Sequence, residues 1–263
     1  MQEDVAGSLA VFRNVSVYRG ATLALDRVSL RIEEGEHLAI LGPNGSGKST
    51  LIKAICQDCY PLAAEDSQLW VFGRQRWNLS ELRQKLGIVS NDPGLFGSRP
   101  ITGREAVLSG FFSSIGLWPH LEVTEAMEIR ATEVLQLLEA GHLAERLITE
   151  MSSGEARRIL VARALVNNPC TLLFDEPSNS LDLFAQADLR QIMSGLAGKG
   201  IAIILITHHL PDIIPEIERV IFVRNGSILQ DGPKAELLTA EHLQELFQVE
   251  LELTMRQDVY YAW

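Results

Sequence analysis

No stretch of this 263-residue chain is long and apolar enough to cross a bilayer. The longest uninterrupted apolar run, Ile201-Ala-Ile-Ile-Leu-Ile206, has six residues, where a spanning helix needs about 20. Positive charge is scarce as well. Its 23 Lys and Arg against 34 Asp and Glu leave a formal net charge of −11, which argues against broad non-specific binding to nucleic acid. Cysteine is sparse and odd in number, which suits a reducing cytoplasm. Cys56 and Cys59 stand at C-x-x-C spacing, but two further ligands at metal-binding distance are missing and the pair falls where a helix should end. Buried or incidental thiols are therefore expected there, rather than a zinc or redox site. The opening Met-Gln-Glu-Asp is acidic and has no apolar secretion core, so no signal peptide is expected. No internal repeat or low-complexity segment stands out. The remaining composition, 46% hydrophobic and 22% charged, is that of a globular chain able to form one large domain or two unequal lobes.

Against these absences, residues 42–49 read Gly-Pro-Asn-Gly-Ser-Gly-Lys-Ser, a complete G-x-x-x-x-G-K-[ST] phosphate loop. The apolar run His37–Leu41 before it reads as a buried strand, and Thr50–Ile55 after it as the opening of a helix. That is the setting the motif requires. Gly42, Gly45 and Gly47 are expected to let the backbone turn tightly and approach an anion. In the loop that opens Gly42-Pro43, the freed N–H groups of Asn44, Gly45, Ser46, Gly47 and the residues on to Thr50, together with the helix N-terminus, would face phosphate oxygens. Lys48 would reach the β- and γ-phosphates and Ser49 would ligate Mg²⁺. A bound nucleoside triphosphate is the expectation.

The order of elements narrows the fold. Leu9–Phe12, Val15–Tyr18 and Val28–Ile32 alternate as half-buried strands, with turn signals at Arg19-Gly20 and Glu34-Gly35. A strand is expected at Gln68–Phe72, a helix at Leu79–Lys85 and a strand at Gly87–Ser90. From about Thr102 to Asn168 the period becomes helical, and Thr124–Ala140 carries a predicted apolar stripe of Ala126, Ile129, Val134, Leu137 and Leu138. Strand runs return at Thr171–Phe174, Ile201–Ile206 and Val220–Val223, with a helix over 182–196. Strands alternating with helices imply a mostly parallel sheet covered on both faces. The expected fold class is therefore α/β, a P-loop NTPase core at both ends of the chain with N-terminal antiparallel strands and an inserted helical subdomain. The aromatic tail Leu251–Trp263 is left open, to dock on the body or on a partner.

Thr171-Leu-Leu-Phe-Asp-Glu-Pro177 is an apolar strand ending in two carboxylates, and the C-terminal end of such a strand lies beside the phosphate loop in a doubly wound sheet. Asp175 would hold Mg²⁺, directly or through water, and Glu176 would polarise a water for in-line attack on the γ-phosphate. Alternation along the strand is expected to send the two side chains to opposite sides.

About twenty residues earlier stands Met151-Ser-Ser-Gly-Glu155, before Ala-Arg-Arg-Ile-Leu-Val-Ala-Arg-Ala-Leu165. Ser152 or Ser153 can cap that helix, and Gly154 allows an anion close. The segment resembles the L-S-G-G-[QE] signature of ABC-type ATPases, with Met and Ser as departures, and the resemblance runs over roughly residues 9–245. It implies that Tyr18 stacks on adenine, that Ser153, Gly154 and Glu155 face ATP held by a second copy, that Ser180-Leu-Asp182 crosses the dimer interface with Asp182 near the nucleotide, and that His208, rather than His209, contacts the γ-phosphate. Where the family usually has a glutamine, this chain has Asn91, one methylene shorter and reduced in reach by about 1.5 Å toward Mg²⁺ and the attacking water.

The resemblance further implies an ATP- and Mg²⁺-dependent ATPase working as a head-to-tail homodimer. Core segments are expected at 9–91 and 169–250, a helical subdomain carrying the signature at 92–168, and a tail at 251–263, all within one nucleotide-binding domain. The favoured role is the energy-coupling subunit of a membrane importer, peripheral on the inner face of the cell membrane and dependent on separate transmembrane permease subunits. Val107–Phe112 is similar to segments of ATPases for metal-chelate, iron or molybdate uptake. The alternative is a soluble ABC ATPase acting on a macromolecule, against which stand the single nucleotide unit, the absence of a coiled-coil insertion and the acidity. Asn91 weighs the other way, because the glutamine loop lies near the permease contact.

Overall fold

The computed structural model describes residues 5–90 and 100–263. The near-continuous apolar runs form strands buried on both faces. β3 (Leu38–Leu41), β5 (Leu86–Ser90), β6 (Thr171–Asp175), β7 (Ala202–Thr207) and β8 (Arg219–Arg224) are parallel, β9 (Ser227–Pro233) is antiparallel, and the order is β5-β6-β7-β3-β8-β9. Successive strand residues face opposite ways, so the core divides cleanly. Leu38, Ile40, Leu173, Ile204, Ile206, Ile221 and Val223 join one apolar cluster. Ala39, Leu41, Leu172, Phe174, Ile203, Leu205, Val220 and Phe222 join the other. The first cluster is closed by α1 (Lys48–Ile55) and by a three-stranded antiparallel sheet, order β2-β1-β4, made of β1 (Ser8–Arg19), β2 (Thr22–Glu33) and β4 (Gln68–Val71). The second is closed by helices of the segment between β5 and β6 and by α6 (Leu183–Ala197).

Within that segment the described residues form α3 (Gly103–Ser109), α4 (Glu125–Leu137) and α5 (Ser153–Leu165), the helical insertion expected from the period. Local chemistry starts each helix. Thr102 with Glu105 and Ser152 with Glu155 form capping boxes, Thr124 caps α4, and Asn78 caps α2 (Leu79–Lys85). After β9 come α7 (Lys234–Leu237) and α8 (Ala240–Phe247).

Three expectations need correction or completion. Leu9–Phe12 and Val15–Tyr18 are one strand, not two. The register shifts between Phe12 and Val15, and Asn14 takes φ +49°, a bulge that keeps Leu9, Phe12, Val15 and Val17 all buried. On α4 the buried stripe is Ala131, Val134, Leu135 and Leu138, at i, i+3, i+4, i+7. Ile129 is 54% exposed and Leu137 40%, and Ala126 is exposed, because apolar residues ring this helix and packing alone chooses the face. The tail forms a hairpin, β10 (Leu253–Arg256) with β11 (Val259–Ala262), turning through Gln257 and Asp258 at positive φ. It docks on the body, with Leu251, Leu253 and Tyr260 packed on the second apolar cluster.

Candidate nucleotide-binding site

Register decides what meets beyond the C-terminal edge of the sheet. Leu41 pairs with Thr207 and Asp175 with Ile206, so Gly42, Glu176 and His208 leave neighbouring strands side by side, in the crevice where open α/β sheets bind ligands. The glycines of the loop serve different ends. A Cβ on Gly42 would collide with the Val223 carbonyl oxygen of β8, so packing on the neighbouring strand already requires glycine here. Gly45, at φ +79° with open space beyond it, supplies the left-handed turn.

Lys48 opens α1 and is 4% exposed. Its Nζ donates to the carbonyl oxygens of Gly42 (2.7 Å) and Pro43 (3.0 Å) and lies 3.5 Å from Oε1 of Glu176. Burial lowers its pKa, partly offset by Glu176 and Asp175. The Ser49 hydroxyl donates to Oδ1 of Asp175 at 3.5 Å. Burial, and then the charge of Glu176, raise the Asp175 pKa. His208 Nδ1 stands 2.6 Å from Oε2 of Glu176, while neither atom makes a hydrogen bond of good angle. The pair is thus in ion-pair range with its directional bonding capacity unused. The His209 backbone N–H donates to Thr207 Oγ1, and its ring meets that of His208 edge-on at 5.0 Å.

Alternation is not what separates the two carboxylates. β6 ends at Asp175, and Glu176 turns out through φ +48° while its N–H still donates to Ile206 O at 2.8 Å. A left-handed non-glycine residue at this point is local strain held by the surrounding ladder.

The other predicted residues lie on exposed element ends. Tyr18 stands next to last in β1, opposite Leu23, and is 51% exposed, a free aromatic face. Ser152, not Ser153, caps α5, accepting from Glu155 N at 3.3 Å. This leaves Ser153 exposed in the first turn, and Gly154 packs so closely that a Cβ would come within 2.9 Å of Ala185 Cβ on α6. Glu155 is engaged by Ser152 N and by Arg146. Asp182 caps α6 through Ala185 N at 2.8 Å. Leu183 and Phe184 beyond it are each 83% exposed. Asn91 lies outside the described residues. Cys56 is buried at the end of α1, where burial pushes its thiol pKa well up, and Cys59 is half-buried against Thr50 O.

The donor set fits a magnesium nucleotide. A hydroxyl and a carboxylate oxygen converge at the mouth of the loop, the hard oxygen pair Mg²⁺ takes. Beside them, among the described residues, lie a buried ammonium with only carbonyl partners besides Glu176 and the buried Ser46 hydroxyl, which has no partner.

The ABC transporter family profile matches residues 25–179, more than half of the chain. The chain belongs to the ABC transporter family of ATPases. Among its relatives, this ABC ATPase is 30% identical to the hemin import ATP-binding protein HmuV of Hahella chejuensis over 247 residues, 90% of this chain and 91% of that protein. It is 35% identical to the methionine import ATP-binding protein MetN of Carboxydothermus hydrogenoformans over 80% of this chain and 60% of that one. Among solved structures, it superposes on an ATP-binding cassette seen as a post-hydrolysis dimer with ADP and Pi (TM-score 0.69, 27% identity, 85% of this chain and 98% of that one). The fold also matches an inward-facing transporter assigned to the metal-chelate type (TM-score 0.77, 23% identity, 97% and 96% covered).

Sequence reasoning missed Asp212. It is buried, and its Oδ2 accepts from Ser178 Oγ (2.6 Å) and Thr207 Oγ1 (2.9 Å). The only signal in the sequence is an acid set between Leu210 and Ile213.

Proposed function

We propose that this ABC ATPase hydrolyses ATP in a head-to-tail dimer of itself and thereby drives a membrane importer, with a metal or metal chelate as cargo. The observation that carries the hydrolytic reading is the meeting of Lys48, Glu176 and His208 at 3.5 and 2.6 Å beside the phosphate loop.

Gly42–Thr50 would wrap the phosphates, with Lys48 turning from its carbonyl partners to the β- and γ-oxygens and Tyr18 stacking on the base. Ser49 and Asp175, and Asn91 through its amide, would hold Mg²⁺, which when bound polarises the phosphoryl oxygens. Glu176 takes the proton of the attacking water as its oxygen bonds to the γ-phosphorus and the bond to ADP breaks. His208 orients Glu176 and donates to the γ-phosphate. The partner copy would present Ser153 and Gly154, held in place by the Ser152–Glu155 cap, and Asp182 near the interface. Those trans contacts need the γ-phosphate, so ATP favours the closed dimer and hydrolysis releases it.

The chain has no helix, among the described residues, long and apolar enough to cross a membrane, so permease subunits would supply the pathway and the ATPase would sit on the inner face of the membrane. A groove of about 300 Å³ between β5 and the helical insertion, lined by Asp58, Arg83, Ile88, Ser90, Ile115 and Arg163, is our place for the permease contact. The import role rests on the HmuV and MetN resemblance, and the metal or metal-chelate cargo on the HmuV name.

The test is a pull-down from native membranes and cytosol with tagged Glu176→Gln protein, ATP and Mg²⁺. Recovery of a multi-spanning protein at fixed stoichiometry is expected. Recovery of ribosomes or nucleic acid instead would overturn the importer reading in favour of a soluble ATP-driven clamp.

A further inference from the structure

The buried carboxylate that sequence reasoning missed joins the two strand ends that carry the proposed chemistry. Ser178 follows Glu176 by two residues, and Thr207 immediately precedes His208. One oxygen of Asp212 accepts hydrogen bonds from both hydroxyls, at 2.6 and 2.9 Å. Thr207 Oγ1 in turn accepts from His209 N at 2.9 Å, which fixes the backbone on the far side of His208. The ladder bond from Glu176 N to Ile206 O sets the strands but leaves the exits after Thr207 and Glu176 to these hydroxyls. Asp212 itself ends a single helical turn, Leu210–Asp212, and that turn is covered. Strand β11 of the C-terminal hairpin lies against it, and Tyr260, Leu253 and Leu251 pack on the same apolar cluster as Leu210, Ile213 and Ile214. The tail that sequence reasoning left open therefore closes over the segment following His208.

We propose that Asp212 is a positioning residue for hydrolysis, holding His208 against Glu176 by tying Thr207 to Ser178, with the C-terminal hairpin keeping its turn seated. This rests on the reading of Glu176 and His208 given above.

The test measures kcat and the ATP dissociation constant on the full-length protein. Asp212→Ala is expected to lower kcat roughly 10–100-fold, the scale of a small misplacement of reacting groups. ATP affinity should stay within about twofold, because nothing on the phosphate loop has changed. Asp212→Asn, whose amide oxygen can accept from both hydroxyls, is expected to restore most of the rate. Ser178→Ala and Thr207→Val each remove one bond and report the same loss in smaller measure if Asp212→Ala does not fold. Tyr260→Ala should lower kcat ~3-fold, and Trp263→Ala, at an exposed residue, should not. Turnover within about twofold of wild type for Asp212→Ala, or for both Ser178→Ala and Thr207→Val, overturns the positioning role. So does an Asp212→Asn protein as slow as Asp212→Ala. An unchanged Tyr260→Ala protein overturns the part given to the hairpin. Glu176→Gln in the same assay separates the two layers: if it is inactive while Asp212→Ala is normal, positioning alone fails, and if it is fully active, the reading of the site falls and the inference with it.

Discussion

Asp175, proposed above to hold Mg²⁺, carries a cost to the fold. Burial and the neighbouring charge of Glu176 hold its carboxyl above the ordinary value, so ionising it costs more in the folded chain than in the unfolded one. A raised carboxylate pKa weakens the folded state wherever the group is ionised, and the penalty fades as pH falls toward the ordinary value of about 3.9. Asp175→Asn is therefore expected to raise the melting temperature of the nucleotide-free protein at neutral pH, each ~1 kcal/mol being about 2–4 °C in a chain of this size. The gain should shrink steadily toward pH 4 while turnover is lost at every pH. Calorimetry across that range checks it, and a lower melting temperature at pH 7 would show that the Ser49 and Lys48 contacts outweigh burial. At this scale the sequence was informative wherever chemistry demands a residue type at a fixed spacing, as with Lys48, Ser49, Asp175, Glu176 and His208. It was silent where two hydroxyls and an acid meet only through the sheet, as at Ser178, Thr207 and Asp212. The left-handed Glu176 was equally hidden, since glutamate does not announce a positive φ.

Elements followed the same division. Strands β3, β6, β7 and β8 were legible because burial on both faces makes them uniformly apolar. The face of α4 was not, because Ile129 and Leu137 on one side compete with Val134, Leu135 and Leu138 on the other. The packing gives a test: Leu135→Ala should cost about 2–5 kcal/mol, whereas Ile129→Lys should stay within about 0.5 kcal/mol, as read by denaturant unfolding. The reverse order would restore the stripe through Ile129. Between elements, Gly154 against Ala185 and the bidentate Arg158–Asp188 pair fasten α5 to α6. The start of the signature helix and the Asp182 cap are thus carried by one two-helix unit.

On the scale of the whole molecule, one edge of the sheet gathers the phosphate loop, two carboxylates and a histidine, while helix starts at Ser153 and Asp182, with Leu183 and Phe184 beside the latter, are exposed, as the proposed head-to-tail dimer requires. ATP-driven pairing is the account's central claim, and the sedimentation or light-scattering mass of Glu176→Gln protein with ATP and Mg²⁺ tests it most directly. The account predicts a shift from 29.1 kDa to twice that mass only with ATP present, with turnover lowered by about 10²–10⁴. A particle that stays monomeric at saturating ATP, or a variant that hydrolyses ATP at the wild-type rate, would contradict it.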